Sequence, residues 1–346
     1  MSVVDYEMIQ VFKKELELCK VREGEVFAVL SVGTLLADYA QAFMFAAQML
    51  GAKTFHLNVR DHTVENRAGV IGKTPLAGNR PAIEALKSAD MVVDLMGLLF
   101  SKEQLEIQAA GTRILRVGEA FHILKQMFPE VSQRERVERG AELMRKAKQM
   151  HITSEAGTDV RYGLQQYPVM TQYGYTDEPG RWDHFPSAFL FTQGNDDDVH
   201  GTIVLQPGDA LVAFKRYIHD PVKLAISNGY ITDIDGEGID ADLIRDYIES
   251  FEDPRAYAIS HIGWGMHERA AWYHMLATSR LHEERYMNSL SFYGNVLFST
   301  GPNSEFGGSN DTACHLDIPM RKCSLFLDDL EIVRKGKVIH PELKAR

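Results

Sequence analysis

Three residues carry the chemistry this sequence offers most plainly: His315 and Asp317, in the stretch NDTACHLDIPM, and His261, in AISHIGWGMHERA. On an extended strand, side chains at i and i+2 leave the same face, so His315 and Asp317 can reach one ion while Leu316 packs on the other side. His261 closes an apolar run just before two closely spaced glycines, which places it at the end of a strand, whereas His267 is expected to open the helix that follows. Two neutral imidazoles and one carboxylate leave three positions open on a divalent ion, the set that non-haem Fe(II) oxygenases use. Such an ion keeps a net positive charge, able to hold an anionic bidentate substrate beside O2. The same three ligands would also hold Zn²⁺ with a water for hydrolysis. On residue types alone, oxygenase and hydrolase stay open. A plainer reading stands beside both: an H-x-D arises by chance in a chain with 13 histidines, and a single buried histidine is commonly a hydrogen-bonded core residue.

The segments around these residues are suited to positioning them. GNVLFSTGPNSEFGGSNDTACHLD reads as a strand, a Gly/Asn/Ser-rich loop and the H-x-D strand, which brings polar groups to the end of a sheet. Upstream, VFAVLS, TFHLNV, MVVDLM and RILRV read as strands, with LLADYAQAFMFAAQML and PAIEALKSA as helices between them. Alternating strand and helix predicts a doubly wound parallel sheet. The SVGTLLADYA stretch after the first strand has one glycine where a dinucleotide fingerprint needs three. A helical pattern from about Arg134 to Met150 closes this part, and beyond it the turn signals QPGD, SNGY and DGEG predict hairpins of an antiparallel or mixed sheet. IDADLIRDYIESFED and ERAAWYHMLATSRLHEERYMNSLSF supply its helices. The expectation is an N-terminal doubly wound α/β domain over residues 1–150 and a C-terminal α+β, metal-binding domain over 151–346.

Composition narrows the class. The 346 residues are 45% hydrophobic and 25% charged, as expected of a globular chain, and a net charge of −11 opposes binding to nucleic acid or anionic lipid. The run RERVERGAELMRKAKQ mixes both signs at helical spacing, a solvated helix face rather than a basic patch. Three cysteines with no CxxC pair indicate neither a disulfide framework nor a zinc ribbon, which fits a reducing cytoplasm. The charged amphipathic N-terminus lacks the apolar core of a signal peptide, and no run of about 18 apolar residues offers a membrane span.

The stretches SHIGWGMHERAAW, GNVLFSTGPNSEFGGSNDTACHLDIPM and GRWDHFPSAFLFT resemble the 2,5-dihydroxypyridine 5,6-dioxygenases, relatives of the thermophilic-type metallo-aminopeptidases. The likeness covers most of the chain and is strongest from about Gly163 to Asp329. It implies an N-terminal α/β domain, a C-terminal domain of aminopeptidase type that houses the metal, and a homo-oligomer, a hexamer. It further implies Fe(II) held by His261, His315 and Asp317, and a hydroxylated pyridine opened by insertion of both atoms of O2. From 2,5-dihydroxypyridine the product would be N-formylmaleamic acid. In the aminopeptidases the position matching His261 is a glutamate and that of Leu297 a histidine, so the resemblance leaves one ion where the peptidases hold two.

One departure concerns proton transfer. Substrate must lose a proton to bind tightly, which asks for a base within hydrogen-bond reach. In the dioxygenases a histidine follows the LL pair of the segment matching DLMGLLFSKEQ; here it is Phe100, whose ring cannot move protons but can stack on a flat heteroaromatic ring. His184, in RWDHFPS, becomes the candidate base or hydrogen-bond donor, against a purely structural role for Arg181 to His184. Glu178, Ser299 and Thr300 are candidate substrate contacts.

Overall fold

The computed structural model describes residues 5–60, 72–99, 101–273 and 287–345. Phe100 therefore lies outside the described residues, as does most of the helix expected over ERAAWYHMLATSRLHEERYMNSLSF, of which a short helix, Met287–Leu290, is described.

The N-terminal sheet is parallel, its strands Lys53–Val59, Val26–Val32, Met91–Asp94, Arg113–Val117 and Trp182–Phe185 lying side by side in that order. Alternation along Val26–Val32 sends Phe27 and Val29 to one face and Ala28 and Leu30 to the other. Phe12 and Leu16 of helix Tyr6–Leu18 and Phe43 and Ala46 of helix Ala37–Met49 cover the first face. Ile83 and Leu86 of Arg80–Lys87 and Ile107 of Lys102–Ala109 cover the second. This is the doubly wound arrangement that the strand–helix alternation predicts. Each of the Val, Leu, Ile and Phe side chains among these contributes about 1.5–3 kcal/mol on burial, so the layer order follows from the period of the apolar residues.

The second half builds two antiparallel sheets. Eight strands form one, from Tyr230–Asp235 at one edge to Lys337–Val338 at the other. The second, which carries the site, has the order Leu316–Met320, Val296–Thr300, Ile259–Gly265, Phe189–Gln193, Met170–Gln172. Of the three turn signals, SNGY joins a true hairpin between Val222–Ser227 and Tyr230–Asp235. QPGD instead leads into the short strand Ala210–Leu211 of a separate two-stranded ribbon, and DGEG leads into helix Ile239–Glu249. Turn residues fix a local φ, and tertiary packing decides which element follows.

Two exchanges tie the halves together. Strand Trp182–Phe185, far along the chain, completes the parallel sheet beside Arg113–Val117. Helix Val131–Lys146 sends Val137, Ala141 and Met144 into the core of the second half. Gly140 lets that helix lie flat on the sheet: a Cβ there would meet Leu190 Cδ1 at 3.0 Å and Trp264 Cζ2 at 3.2 Å. Among the described residues no helix is long and apolar enough to cross a membrane.

Candidate metal centre

The site's sheet has two unlike faces. Leu190, Ile262, Trp264, Val296, Phe298, Ile318 and Met320 point into the main core, whereas Phe189, Phe191 and Leu297 belong to a separate aromatic cluster on the opposite face. That second face carries the polar groups. In register, Gln193 opposes His261 and Ser299 opposes Asp317, a row of polar side chains across four neighbouring strands.

His261 does not sit at a strand end as expected; it is the third residue of Ile259–Gly265. The ladder to Val296–Thr300 shifts between Ile259 and Ile262, so Ser260 and His261 together face the single residue Ser299. Such a bulge inserts one residue, increases the local twist and re-aims a side chain. It is held by the Ser299 hydroxyl, which donates to the His261 carbonyl at 2.6 Å, and by Ser260, whose hydroxyl donates to the Pro302 carbonyl at 2.6 Å. Gly263, two residues on, faces Phe191 across the ladder with no room for a side chain, because a Cβ would strike the Leu190 carbonyl.

His315 immediately precedes Leu316–Met320 and Asp317 is its second residue. As i and i+2 geometry requires, both reach one point: His261 Nε2 lies 3.1 Å from Asp317 Oδ1 and His315 Nε2 lies 3.2 Å from the same oxygen. One ligand atom from each of the three lies within 4.8 Å of the other two, and all three residues are buried. Among the described residues no other His, Cys, Asp or Glu group converges in this way.

The donor chemistry fits a cation. His315 Nδ1 is 2.9 Å from the Thr300 carbonyl, which can only accept, so this nitrogen carries the proton and Nε2 presents its lone pair toward Asp317. A lone pair and a carboxylate turned toward each other in a buried site call for a positive charge between them. With no ion between them, burial pushes the Asp317 carboxyl up, but positive charge on the His315 ring and then the His261 hydrogen bond outweigh it and hold the group well below the usual carboxylate range, a role that a bound cation takes over from those protons. Asp317 is thus kept ionised, ready to bind a cation.

The remaining candidates fall in different places. Ser299 is buried within the row and holds the bulge. Thr300 follows it, so alternation turns its side chain to the other face, and its contribution to the site is the carbonyl that orients His315. Glu178 is exposed and its charge is taken by Arg134 at 2.8 Å. His184 is buried in Trp182–Phe185, its ring centroid 6.3 Å from that of Trp182. The residues beside it hold the local backbone in place, since Asp183 accepts the N–H groups of Tyr173, Gly174 and His184 and pairs with Arg181 at 2.6 Å. His267 opens no helix. It is buried in a bridge with Phe292, with Nε2 3.0 Å from the Met127 carbonyl. A cavity of about 630 Å³ lies against Trp272, Phe292 and Arg321 and is lined by none of the three ligands.

Four residues around the triad escape a reading based on ligand types. Phe191 and Phe306 pack at 5.2 and 6.4 Å from the His261 ring. Gln193 donates from Nε2 to the Ile259 carbonyl, which fixes its amide orientation and leaves Oε1 as a buried acceptor without a hydrogen-bond partner. Glu305 brings Oε1 to 3.9 Å from His261 Nδ1. The period-2 run FLFTQ and the one acidic residue inside GPNSEFGGSN were the signals available for three of them.

Comparison with known proteins gives one consistent answer. Residues 7–340 match the family model described as 2,5-dihydroxypyridine 5,6-dioxygenase. A protein of that name from Pseudomonas putida is 44% identical over 347 residues, covering 99% of each chain. The solved structure of 2,5-dihydroxypyridine dioxygenase from Pseudomonas putida KT2440 superposes with a TM-score of 0.94 over 99% of both chains. The wild-type AmpT of Thermus thermophilus shares the fold at a TM-score of 0.58 and 13% identity, over 96% of this chain and 99% of that one.

Proposed function

The chain belongs to the 2,5-dihydroxypyridine 5,6-dioxygenase family, and from that premise we propose that its buried triad holds the ion at which this ring is opened. The activity is that of a ring-cleaving dioxygenase acting on 2,5-dihydroxypyridine. The observation that carries the site assignment is the convergence of His261, His315 and Asp317 on one buried point. Fe(II) is the ion we assign there, since two imidazoles and one carboxylate with open positions suit it. When bound, iron supplies the one-electron chemistry with O2 that a closed-shell ring lacks.

The protein's own residues do the rest. Asp317 brings one negative charge and the imidazoles none, so the loaded site stays positive and draws a deprotonated hydroxypyridine. Phe191 and Phe306 flank His261 with aromatic surface on which a flat ring can stack. The buried Phe189, Phe191 and Leu297 exclude water from that face. His184 is our candidate for taking the substrate proton, with the product N-formylmaleamic acid. Leu297, packed in the aromatic cluster, offers no ligand for a second ion, which argues against the alternative of a two-metal, aminopeptidase-like hydrolase.

We further propose a domain division at 150/151, with Trp182–Phe185 lent back to the first half, a cytoplasmic location and a hexameric assembly. The test of function is turnover of 2,5-dihydroxypyridine by anaerobically purified protein loaded with Fe(II) or Zn(II). Ring loss with equimolar O2 uptake under iron alone supports the reading; peptide hydrolysis under zinc without ring loss refutes it.

A further inference from the structure

We infer that Glu305 is a positioning residue for His261, the carboxylate that fixes the imidazole's proton on Nδ1 and strengthens Nε2 as a ligand. The inference rests on the metal reading above. His261 Nε2 faces Asp317 Oδ1 at 3.1 Å, so for Nε2 to bind an ion the ring proton must sit on Nδ1. Nδ1, the other ring nitrogen, lies 3.9 Å from Glu305 Oε1. Glu305 is not among the residues whose ligand atoms converge, so it stands behind His261 rather than beside the ion.

The loop around it is built for this placement. Glu305 lies in the turn Ser304–Phe306 between strand Val296–Thr300 and the strand Leu316–Met320 that carries Asp317. Asn303 and Asn310 clamp that loop: the Asn303 N–H donates to the Asn310 carbonyl at 3.0 Å, and the Asn310 N–H returns to the Asn303 side chain at 2.9 Å. Asn310 also donates from its side chain to the Gly301 carbonyl at 3.0 Å. Next to Glu305, the Phe306 ring packs edge-on to Phe191 at 5.8 Å, so the turn is seated on the same wall as His261. The two histidines thus have unlike outer partners, a neutral carbonyl behind His315 and a carboxylate behind His261. A carboxylate there makes the imidazole more basic and adds negative charge near the ion, and loss of such a partner typically weakens metal binding 10- to 100-fold.

The experiment is Co(II) titration of the full chain, wild type against Glu305→Gln, followed by the visible absorption of the bound ion, with thermal midpoints of the ion-free proteins as a folding control. We expect 10- to 100-fold weaker binding and a shifted Co(II) spectrum in the variant, with an unchanged ion-free midpoint. Equal affinity and an identical spectrum would overturn the inference. Absence of Co(II) binding by the wild type would instead remove the metal reading itself. Should Glu305→Gln fail to fold, a crystal structure of the Co(II)-loaded wild type decides: Glu305 Oε1 within about 3.2 Å of His261 Nδ1 is expected. A carboxylate that stays apart, or that turns to coordinate the ion, would overturn it.

Discussion

Replacing Asp317 by Asn tests the triad with the smallest change of shape. The side chain is 4% exposed and a single oxygen serves both imidazoles, at 3.1 and 3.2 Å. Asn keeps the volume and an acceptor oxygen but removes the only negative charge among the three ligands. Loss of an outer partner costs 10- to 100-fold in affinity, so loss of the charged ligand itself is taken as at least ~100-fold. With the ion at about 100 times the wild-type dissociation constant, binding stabilises the wild type by about 2.7 kcal/mol, and the variant, then at its own dissociation constant, by about 0.4 kcal/mol. At about 2 °C per kcal/mol for a chain of this length, the ion-dependent rise in midpoint should be about 5 °C smaller in the variant. The assay is a thermal scan of both proteins with and without Co(II), so that each serves as its own ion-free reference. An equal rise in both would refute the placement of the ion at Asp317.

Further expectations follow from other parts of the molecule. His184→Ala should lower turnover of the iron-loaded enzyme while iron content stays at the wild-type level; an unaffected rate would return His184 to a structural role. Phe100→His, which introduces the histidine that the resemblance implies at this position, should raise turnover of 2,5-dihydroxypyridine, measured by loss of its ultraviolet band. Gly263→Ala should cost about 3 kcal/mol or more, because a Cβ meets backbone rather than a movable side chain, and should also lower ion content by displacing His261. Burial lowers the pKa of His267 to about 4, only partly offset by its bond to the Met127 carbonyl. The unfolded chain therefore takes up a proton near pH 6.5 that the native state refuses, and stability falls with acidification between about 6.5 and 4. Urea unfolding should show this as about 2 kcal/mol lost between pH 7 and pH 5, a loss that His267→Gln removes.

The parallel sheet was legible because its strands are short apolar runs separated by helices whose apolar face has a clear period, as in Val26–Val32 and Arg80–Lys87. The return of Trp182–Phe185 to that sheet was not, since pairing between strands distant in sequence leaves no local trace. H-x-D was readable from strand periodicity alone. His261 does converge with His315 and Asp317, but for a different geometric reason than a strand end, because a bulge depends on the partner strand and no residue of ISHIGWG announces it. Ser299 and Thr300 could not both face the ligands, a consequence of alternation that the motif obscured. Glu305 and Gln193 belong to the site through loop placement and cross-strand register, which only the assembled sheet reveals.

The most direct measurement is turnover under ¹⁸O2 by the Fe(II)-loaded wild type, with His315→Ala in parallel and the product read by mass spectrometry. The account requires N-formylmaleamic acid carrying both labelled atoms from the wild type, and neither bound iron nor product from the variant. Product with one label or none, or full iron and full rate in His315→Ala, would contradict it.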